Sequence, residues 1–372
     1  MISILWLWYV YHGYRLFLEL VVRFASRQDC PGEALPHITV LLTVYNEAEL
    51  IQERIFNILD CEYPWDRMQL LIASDGSDDG TQEIVRSISD SRIELVDMTV
   101  RVGKSAAQNA ALQHAVGDVV IFTDAGTRFS REFLRQIVKP FSCQDVGAVD
   151  GHLLFVSSGT GQIDSSQGYY WRYELMIRSL ESRLGMLAVS SGACLAVRRA
   201  LLRPLPPAIG EDCVVPLDVV VQGYRVVHQN GAVAHDCMES DTSREFKTRV
   251  RMTLRNWQGT LLYPALLNPF VRARYSIALW SHKLLRWLSP IPLITVVGSG
   301  IYLGVTGSSI SVMANAVNLF LLGGGLVGWW GERTGRRLPV AGNIFAFWLA
   351  NAGFFVGTFR ALIGSRVVAY SR

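Results

Sequence analysis

An α/β domain on a mainly parallel sheet, joined to apolar helices long enough to cross a membrane, is the fold class this 372-residue sequence predicts. Two observations predict it. From residue 37, short β-branched runs alternate with amphipathic stretches. Half of the residues are apolar, and the excess is gathered near the two ends of the chain.

The first element, MISILWLWYVYHGYRLFLELVVRF (1–24), is apolar but carries His12, Arg15 and Glu19. It has no basic leader region and no small-residue cleavage site, which argues against a secretory signal. Residues 1–27 read as an anchor that spans the membrane or lies in its interface. The central pattern follows. ITVLLTV (38–44) reads as a buried strand, EAELIQERIFNIL (47–59) as a helix, MQLLIAS (68–74) as a strand and TQEIVRSI (81–88) as a helix. RIELVD (92–97) is a strand, KSAAQNAALQHAV (104–116) a helix and DVVIFTD (118–124) a strand. Continuous apolar strands separated by helices are the pattern of a parallel sheet covered on both faces.

Ligands of such sheets bind beyond the carboxyl ends of the strands. There the sequence places Tyr45-Asn46-Glu47, Asp75-Gly76-Ser77 and Asp124, too many polar groups for packing alone. No Gly-rich dinucleotide or P-loop cradle follows the first strand. The acids of SDGSDDGT (74–81) suit ribose hydroxyls, base N–H groups or a phosphate-bound cation.

Five segments, ITVLLTVYNE, LLIASDGSDDGT, GKSAAQNAAL, VVIFTDAGT and GEDCVVPLDVVVQGYRVVHQ, occur in one order and spacing. In this the chain resembles membrane-bound family 2 glycosyltransferases of the polysaccharide-synthase-like branch, over about residues 36–260. The resemblance implies a GT-A fold (Rossmann-like, mainly parallel) and inverting transfer of a sugar from a nucleotide-sugar donor, uridine-linked. It implies that Thr43, Tyr45, Glu47 and Asp75 cradle the nucleoside, that Lys104 lies near the donor, and that Asp124 opens a D-x-D motif for Mg²⁺ or Mn²⁺. Gly126 stands where that motif has its second acid. Because Mg²⁺ often uses one or two carboxylates plus substrate phosphates, one acid can serve with weaker metal affinity.

The same resemblance makes Asp212 the general base and puts Gly192 and Glu211 on the acceptor side. Glu-Asp at a helix start is otherwise a common charge pairing with the helix dipole. In REFKTRVRMTLRNWQG (244–259), Lys247, Arg251 and Arg255 form a basic stripe. Aligned with the branch's Q-x-x-R-W, TRVRM (248–252) keeps only Arg251, assigned to the donor diphosphate. The missing Trp weakens a processive reading.

VRARYSIALWSHKLLRWL (271–288) reads as an interfacial helix, so residues 261–287 form an amphipathic connection. LSPIPLITVVGSGIYLGVT (288–306), ISVMANAVNLFLLGGGLVGWW (310–330) and VAGNIFAFWLANAGFFVGTF (340–359) give three membrane segments within 288–363. Arg23, Arg27, Lys283, Arg286 and GERTGRR (331–337) place the central domain on the cytoplasmic side of an inner or plasma membrane. Arg360, Arg366 and Arg372 run against that orientation, and the 307–309 link is uncharged. The modest net charge of +3 argues against a nucleic-acid partner, leaving donor, lipid-linked or glycan acceptor, and membrane lipids as the expected partners. The six cysteines lack zinc or redox spacing and are expected to be reduced. Three rival readings remain: transfer to polyprenyl phosphate, a processive synthase, and a degenerate donor-binding partner of an assembly complex.

Overall fold

The computed structural model describes residues 1–25, 32, 35–156, 162–237, 241–306, 311–336 and 338–365. Arg27, Cys30, Arg337, Arg366, Arg372 and the 307–309 link lie outside them. Eight strands form one sheet: β1 Ile38–Val44, β2 Met68–Ser74, β3 Ile93–Asp97, β4 Val119–Asp124, β5 Arg128–Phe129, β6 Val146–Val156, β7 Leu195–Arg198 and β8 Arg225–Cys237. Their order is β3-β2-β1-β4-β7-β6-β8-β5. The first four are parallel, as the alternating pattern requires. β7 then runs antiparallel to both β4 and β6, and β5 antiparallel to β8, while β6 and β8 are parallel. The sheet is therefore mixed. The parallel half was readable because β1, β2 and β3 are each followed by a helix; β7 has only four residues and no such period.

Alternation along β1 sends Val40, Leu42 and Val44 to one core layer, with Ile51, Ile55 and Ile58 of the Ala48–Leu59 helix. Leu41 goes to the opposite layer, with Ala107 and Ala111 of the Lys104–Leu112 helix and Val214 and Val219 of the Glu211–Val221 helix. Helices on both faces leave the strand ends as the open edge of the domain.

The apolar segments pack against this domain. The N-terminal helical segment, residues 2–22, hydrogen-bonds through Trp6, Tyr9 and Tyr14 to Leu285, Ser281 and Glu181. Val312–Thr334 and Pro339–Leu362 are each long and apolar enough to cross a membrane; Pro269–Trp287 and Pro290–Thr306, bent by 49°, form a third span if counted together. The last helix lies on the Thr242–Leu261 helix at Gly353 and Gly357, where a Cβ would come 2.9 Å from that of Arg249 and 2.6 Å from that of Thr253. Small residues four apart permit that approach. Trp257, held to Thr358 at 2.9 Å, is core between the two helices.

The segment expected to be interfacial carries two kinds of face. Ile277 and Trp280 are exposed, but His282 and Arg286 are buried. Arg286, Lys283 and His282 converge on Glu174 at 3.0, 2.7 and 3.0 Å, and His282 reaches Glu181 through its other ring nitrogen. Four cysteines are free (61, 194, 213, 237), whereas Cys143 is disulfide-bonded, a departure from the reduced thiols expected throughout.

Candidate active site

The strand register assembles the site. Thr43 pairs with Asp124 on one side and Ala73 on the other, so the ends of β1, β2 and β4 reach one rim. A cleft of about 470 Å³ opens there, and Thr43, Tyr45, Glu47, Asp75, Lys104 and Asp124 all line it. The Thr43 hydroxyl is buried and has no hydrogen-bond partner among the described residues. The Tyr45 ring carries the Arg101 guanidinium 3.9 Å from its centroid, a flat, cationic face suited to a base or ribose.

Two loops hold that rim in shape. Asn46, at φ 53°, donates to Asp78 at 2.8 Å and accepts from its backbone N–H at 3.0 Å, while Ala48 N–H donates to Asp79. Asn tolerates this left-handed backbone. Two acids of the SDGSDDGT run are thus engaged in fixing the exit from β1. Asp75 is 4% exposed and accepts from the backbone N–H groups of Val102 and Gly103 at 2.7 and 2.9 Å. Its carboxylate shapes the cleft by holding that loop.

Lys104, at the start of its helix, donates to Asp124 Oδ1 at 2.7 Å and Glu211 Oε1 at 2.8 Å. One ammonium therefore ties the end of β4 to the start of the Glu211–Val221 helix. Glu211 is 1% exposed, and its Oε2 has no partner among the described residues. Gly192 lies against it: a Cβ there would meet Glu211 Oε1 at 2.6 Å. The Gly192 segment is fixed by Ser191 N–H on Asp150 and by Thr123 Oγ1 on the Ala193 carbonyl, at 2.8 and 2.9 Å. Asp150 is in turn held by Arg178 and His228. Asp212 stands beside Glu211; burial first, and then the Glu211 charge, raise its carboxyl above the usual range, against Lys104 and Arg255.

The place of the missing second acid is informative. A Cβ at Gly126 would come 3.3 Å from Asp236 Oδ1 of β8. Asp236 also accepts from Thr127 Oγ1 at 3.2 Å, and burial, with the nearby Asp124 charge, raises its carboxyl. A carboxylate brought from β8 thus borders the space a D-x-D acid would use. Among the described residues no group of three or more His, Cys, Asp or Glu could hold a metal by itself. Two carboxylates completed by substrate phosphates fit Mg²⁺ or Mn²⁺ chemistry.

Of the basic stripe, Arg255 lines the cleft; Arg251, one turn earlier, is not among its lining residues. Sequence reasoning saw the stripe but not which turn faces the cleft. It also missed Asp236, Arg101 and Arg54. Arg54 is fully buried, donates to the Asp124 carbonyl at 3.2 Å and Thr123 Oγ1 at 2.6 Å, and so fixes the end of β4 from behind. An arginine in an otherwise apolar helix stripe, Ile51-Arg54-Ile55-Ile58, was the available signal.

The chain is similar to known glycosyltransferases. Residues 39–205 match the family model described as glycosyl transferase family 2. Glycosyltransferase AglE of Haloferax volcanii is 25% identical over 253 residues, 66% of this chain and 80% of that protein. An N-acetylglucosaminyltransferase of Mesorhizobium japonicum is 25% identical over 70% of this chain and 65% of its own length. A poly-beta-1,6-N-acetyl-D-glucosamine synthase of Staphylococcus aureus is 26% identical over 63% of this chain and 58% of its own. The match thus spans less than two thirds of the last two. A solved mannosyltransferase of Pyrobaculum calidifontis, in complex with GDP-Man and Mn²⁺, superposes with a TM-score of 0.73 at 23% identity, covering 97% of this chain and 98% of that one. Its fold is the fold described above.

Proposed function

We propose a specific reaction for this chain, which is a glycosyltransferase with a family 2 domain at residues 39–205 and a GT-A fold. It moves a sugar, with inversion, from a uridine-linked donor to a lipid-linked or glycan acceptor at the cytoplasmic face of a membrane. The observation that carries this reading is the convergence of Lys104, Asp124 and Glu211 in one hydrogen-bonded group; Lys104 and Asp124 line the cleft, while Glu211 and the adjacent Asp212 are not among its lining residues.

The chemistry follows from charge. The Asp212 carboxylate takes the proton of the acceptor hydroxyl as its oxygen attacks the anomeric carbon; a raised carboxyl is the stronger base. The bond to the diphosphate oxygen breaks, and its electron pair leaves with the nucleoside diphosphate. Lys104 and Arg255 line the cleft where that negative charge develops. Asp124 and Asp236 would hold a divalent cation, which when bound neutralises the diphosphate. Tyr45, Arg101, Thr43 and Glu47 hold the nucleoside. The apolar helices at Val312–Thr334 and Pro339–Leu362 support a membrane location.

A thermal-shift panel of uridine- and guanosine-linked sugars, with and without Mn²⁺, tests the donor. A uridine-linked sugar should raise the melting temperature most, and more so with Mn²⁺. Equal response to all, or none, would overturn the donor assignment.

A further inference from the structure

Lys104 touches both halves of the candidate site. Its ammonium donates to Asp124 Oδ1 at 2.7 Å, on the cleft side, and to Glu211 Oε1 at 2.8 Å, beside Asp212. The two bonds are not equivalent. The Glu211 side chain is 2% exposed, and its other oxygen, Oε2, has no partner among the described residues. Gly192 packs against Oε1, where a Cβ would come within 2.6 Å, so this carboxylate has no room to turn toward that segment. Taking the ammonium away would leave a buried carboxylate uncompensated, which is costly. The bond to Glu211 is the fixed end.

Asp124 is the loose end. Its side chain is 42% exposed, and it lines the cleft together with Lys104 and Gly126. Arg54 holds its backbone carbonyl from behind, so the carboxylate can turn while the end of β4 stays in place. An ion pair at that exposure is worth little and is readily traded for a ligand. Asp124 is also the acid assigned to the divalent cation, with Asp236 bordering Gly126. Two cations drawn to one carboxylate repel each other, so the ammonium has to yield Asp124 to a metal.

We propose that Lys104 is the internal counter-ion of Asp124 in the donor-free enzyme, and that it exchanges Asp124 for a diphosphate oxygen of the donor while keeping Glu211. The proposal rests on the donor and cation reading above. Lys104 then makes cation binding conditional on the donor. Without a diphosphate, a cation must displace an ammonium that has no other anion to go to in the cleft. With one, the ammonium gains an anionic acceptor and Asp124 is released. Such coupling is reciprocal, so the cation strengthens diphosphate binding by the same factor. Because the retained bond ends on Glu211, next to Asp212, the exchange also ties donor arrival to the acceptor side.

The test is Mn²⁺ paramagnetic resonance of the full chain in detergent, with no nucleotide, with UDP and with GDP. The parent should bind Mn²⁺ alone weakly, and whichever diphosphate it accepts should tighten that binding by roughly tenfold or more. Lys104→Met should bind Mn²⁺ alone roughly tenfold tighter than the parent, and the diphosphate should add correspondingly less. If Lys104→Met fails to fold because Glu211 is stranded, Lys104→Met with Glu211→Gln removes both charges and should behave the same way. Thermal melting certifies either variant. Arg255→Met separates the exchange from a general charge effect. Arg255 also lines the cleft, and its charge acts on Asp212. A general effect would tighten Mn²⁺ there as well, whereas the exchange leaves the parental value nearly unchanged. Parental Mn²⁺ affinity in the folded Lys104 variant, equal tightening in Arg255→Met, or an undiminished diphosphate effect in the Lys104 variant would overturn the proposal and leave the glycosyltransferase reading standing. Mn²⁺ bound by no form, with or without either diphosphate, would overturn it together with the cation assignment.

Discussion

In the cleft at the strand ends, Lys104 reaches Asp124 and Glu211 at 2.7 and 2.8 Å; the Asp124 side chain is 42% exposed and that of Glu211 2%. Beneath the apolar helices, Lys283 and Arg286 reach Glu174 at 2.7 and 3.0 Å, and that side chain is 2% exposed. Residue types and distances are nearly the same; what differs is that one carboxylate of the cleft group, Asp124, meets water. An exposed pair contributes little to stability and can be exchanged for a ligand. A buried carboxylate surrounded by cations is costly to disturb, because removing one member strands the others. The Lys104–Asp124 pair is therefore built to be re-partnered, and the Glu174 cluster to fix the N-terminal helix and residues 279–287 against the domain.

The largest effect expected on the cleft side is from Asp212→Asn. Transfer should fall by roughly 10²–10⁴, the range of general-base catalysis, with donor affinity retained. The parent's rate should fall as pH drops through the Asp212 value, which burial and Glu211 hold above the usual carboxylate range; the variant should lack that limb. The linkage sign is opposite for stability. A carboxyl raised in the folded state makes ionisation costly there, so the penalty grows as pH rises through the unfolded value toward the folded one. Asp212→Asn should then melt no lower than the parent at neutral pH. Transfer at the parental rate would remove the base and favour a phosphate acceptor, which needs none.

On the buried side, Glu174→Gln should lower stability by about 3–5 kcal/mol, the usual cost of breaking a buried ion pair from one end. Thermal melting should show it, while donor affinity measured below the transition stays within error. An unchanged melting temperature would mean that water reaches this cluster, and the contrast with Lys104 would fail.

The two regions were not equally legible. β1, β2 and β4 were read to within a residue because apolar strands and amphipathic helices alternate there, and polar residues at strand ends mark a rim wherever the sheet is parallel. Thr43, Tyr45, Glu47, Asp75, Lys104 and Asp124 followed from that rule and the family pattern, and they line one cleft. Asp236 did not. It reaches Gly126 only because β8 returns beside β6 and β5, a long-range pairing without local signature. The Glu174 cluster escaped for a similar reason. Arg286 on an amphipathic segment reads as a solvated charge until the Gln162–Arg183 helix supplies its partner, 112 residues away in sequence.

Asp236 can be tested within the cleft. Asp236→Asn should weaken Mn²⁺ binding in the presence of nucleoside diphosphate by roughly tenfold or more, as loss of a ligand or its support does. Mn²⁺ paramagnetic resonance reads this directly, without turnover. Gly126→Asp, which restores the motif's own acid, should meet the Asp236 carboxylate and fail to improve affinity unless Asp236 is removed as well. Parental Mn²⁺ affinity in Asp236→Asn would leave Asp124 as the only protein acid at the cation.

The smallest effect belongs to Arg101, on the exposed wall of the cleft. Its guanidinium lies 3.9 Å from the Tyr45 centroid, and exposed pairs of this kind are worth about 0.5–1 kcal/mol. Arg101→Gln should therefore weaken donor binding by only about two- to fivefold. Tyr45→Leu should match it if the pair acts as one surface, and the double variant should then be no worse than either single one. Additive losses would mean that ring and guanidinium meet different parts of the donor. That outcome would shift base recognition toward the Tyr45 ring and leave Arg101 to the diphosphate.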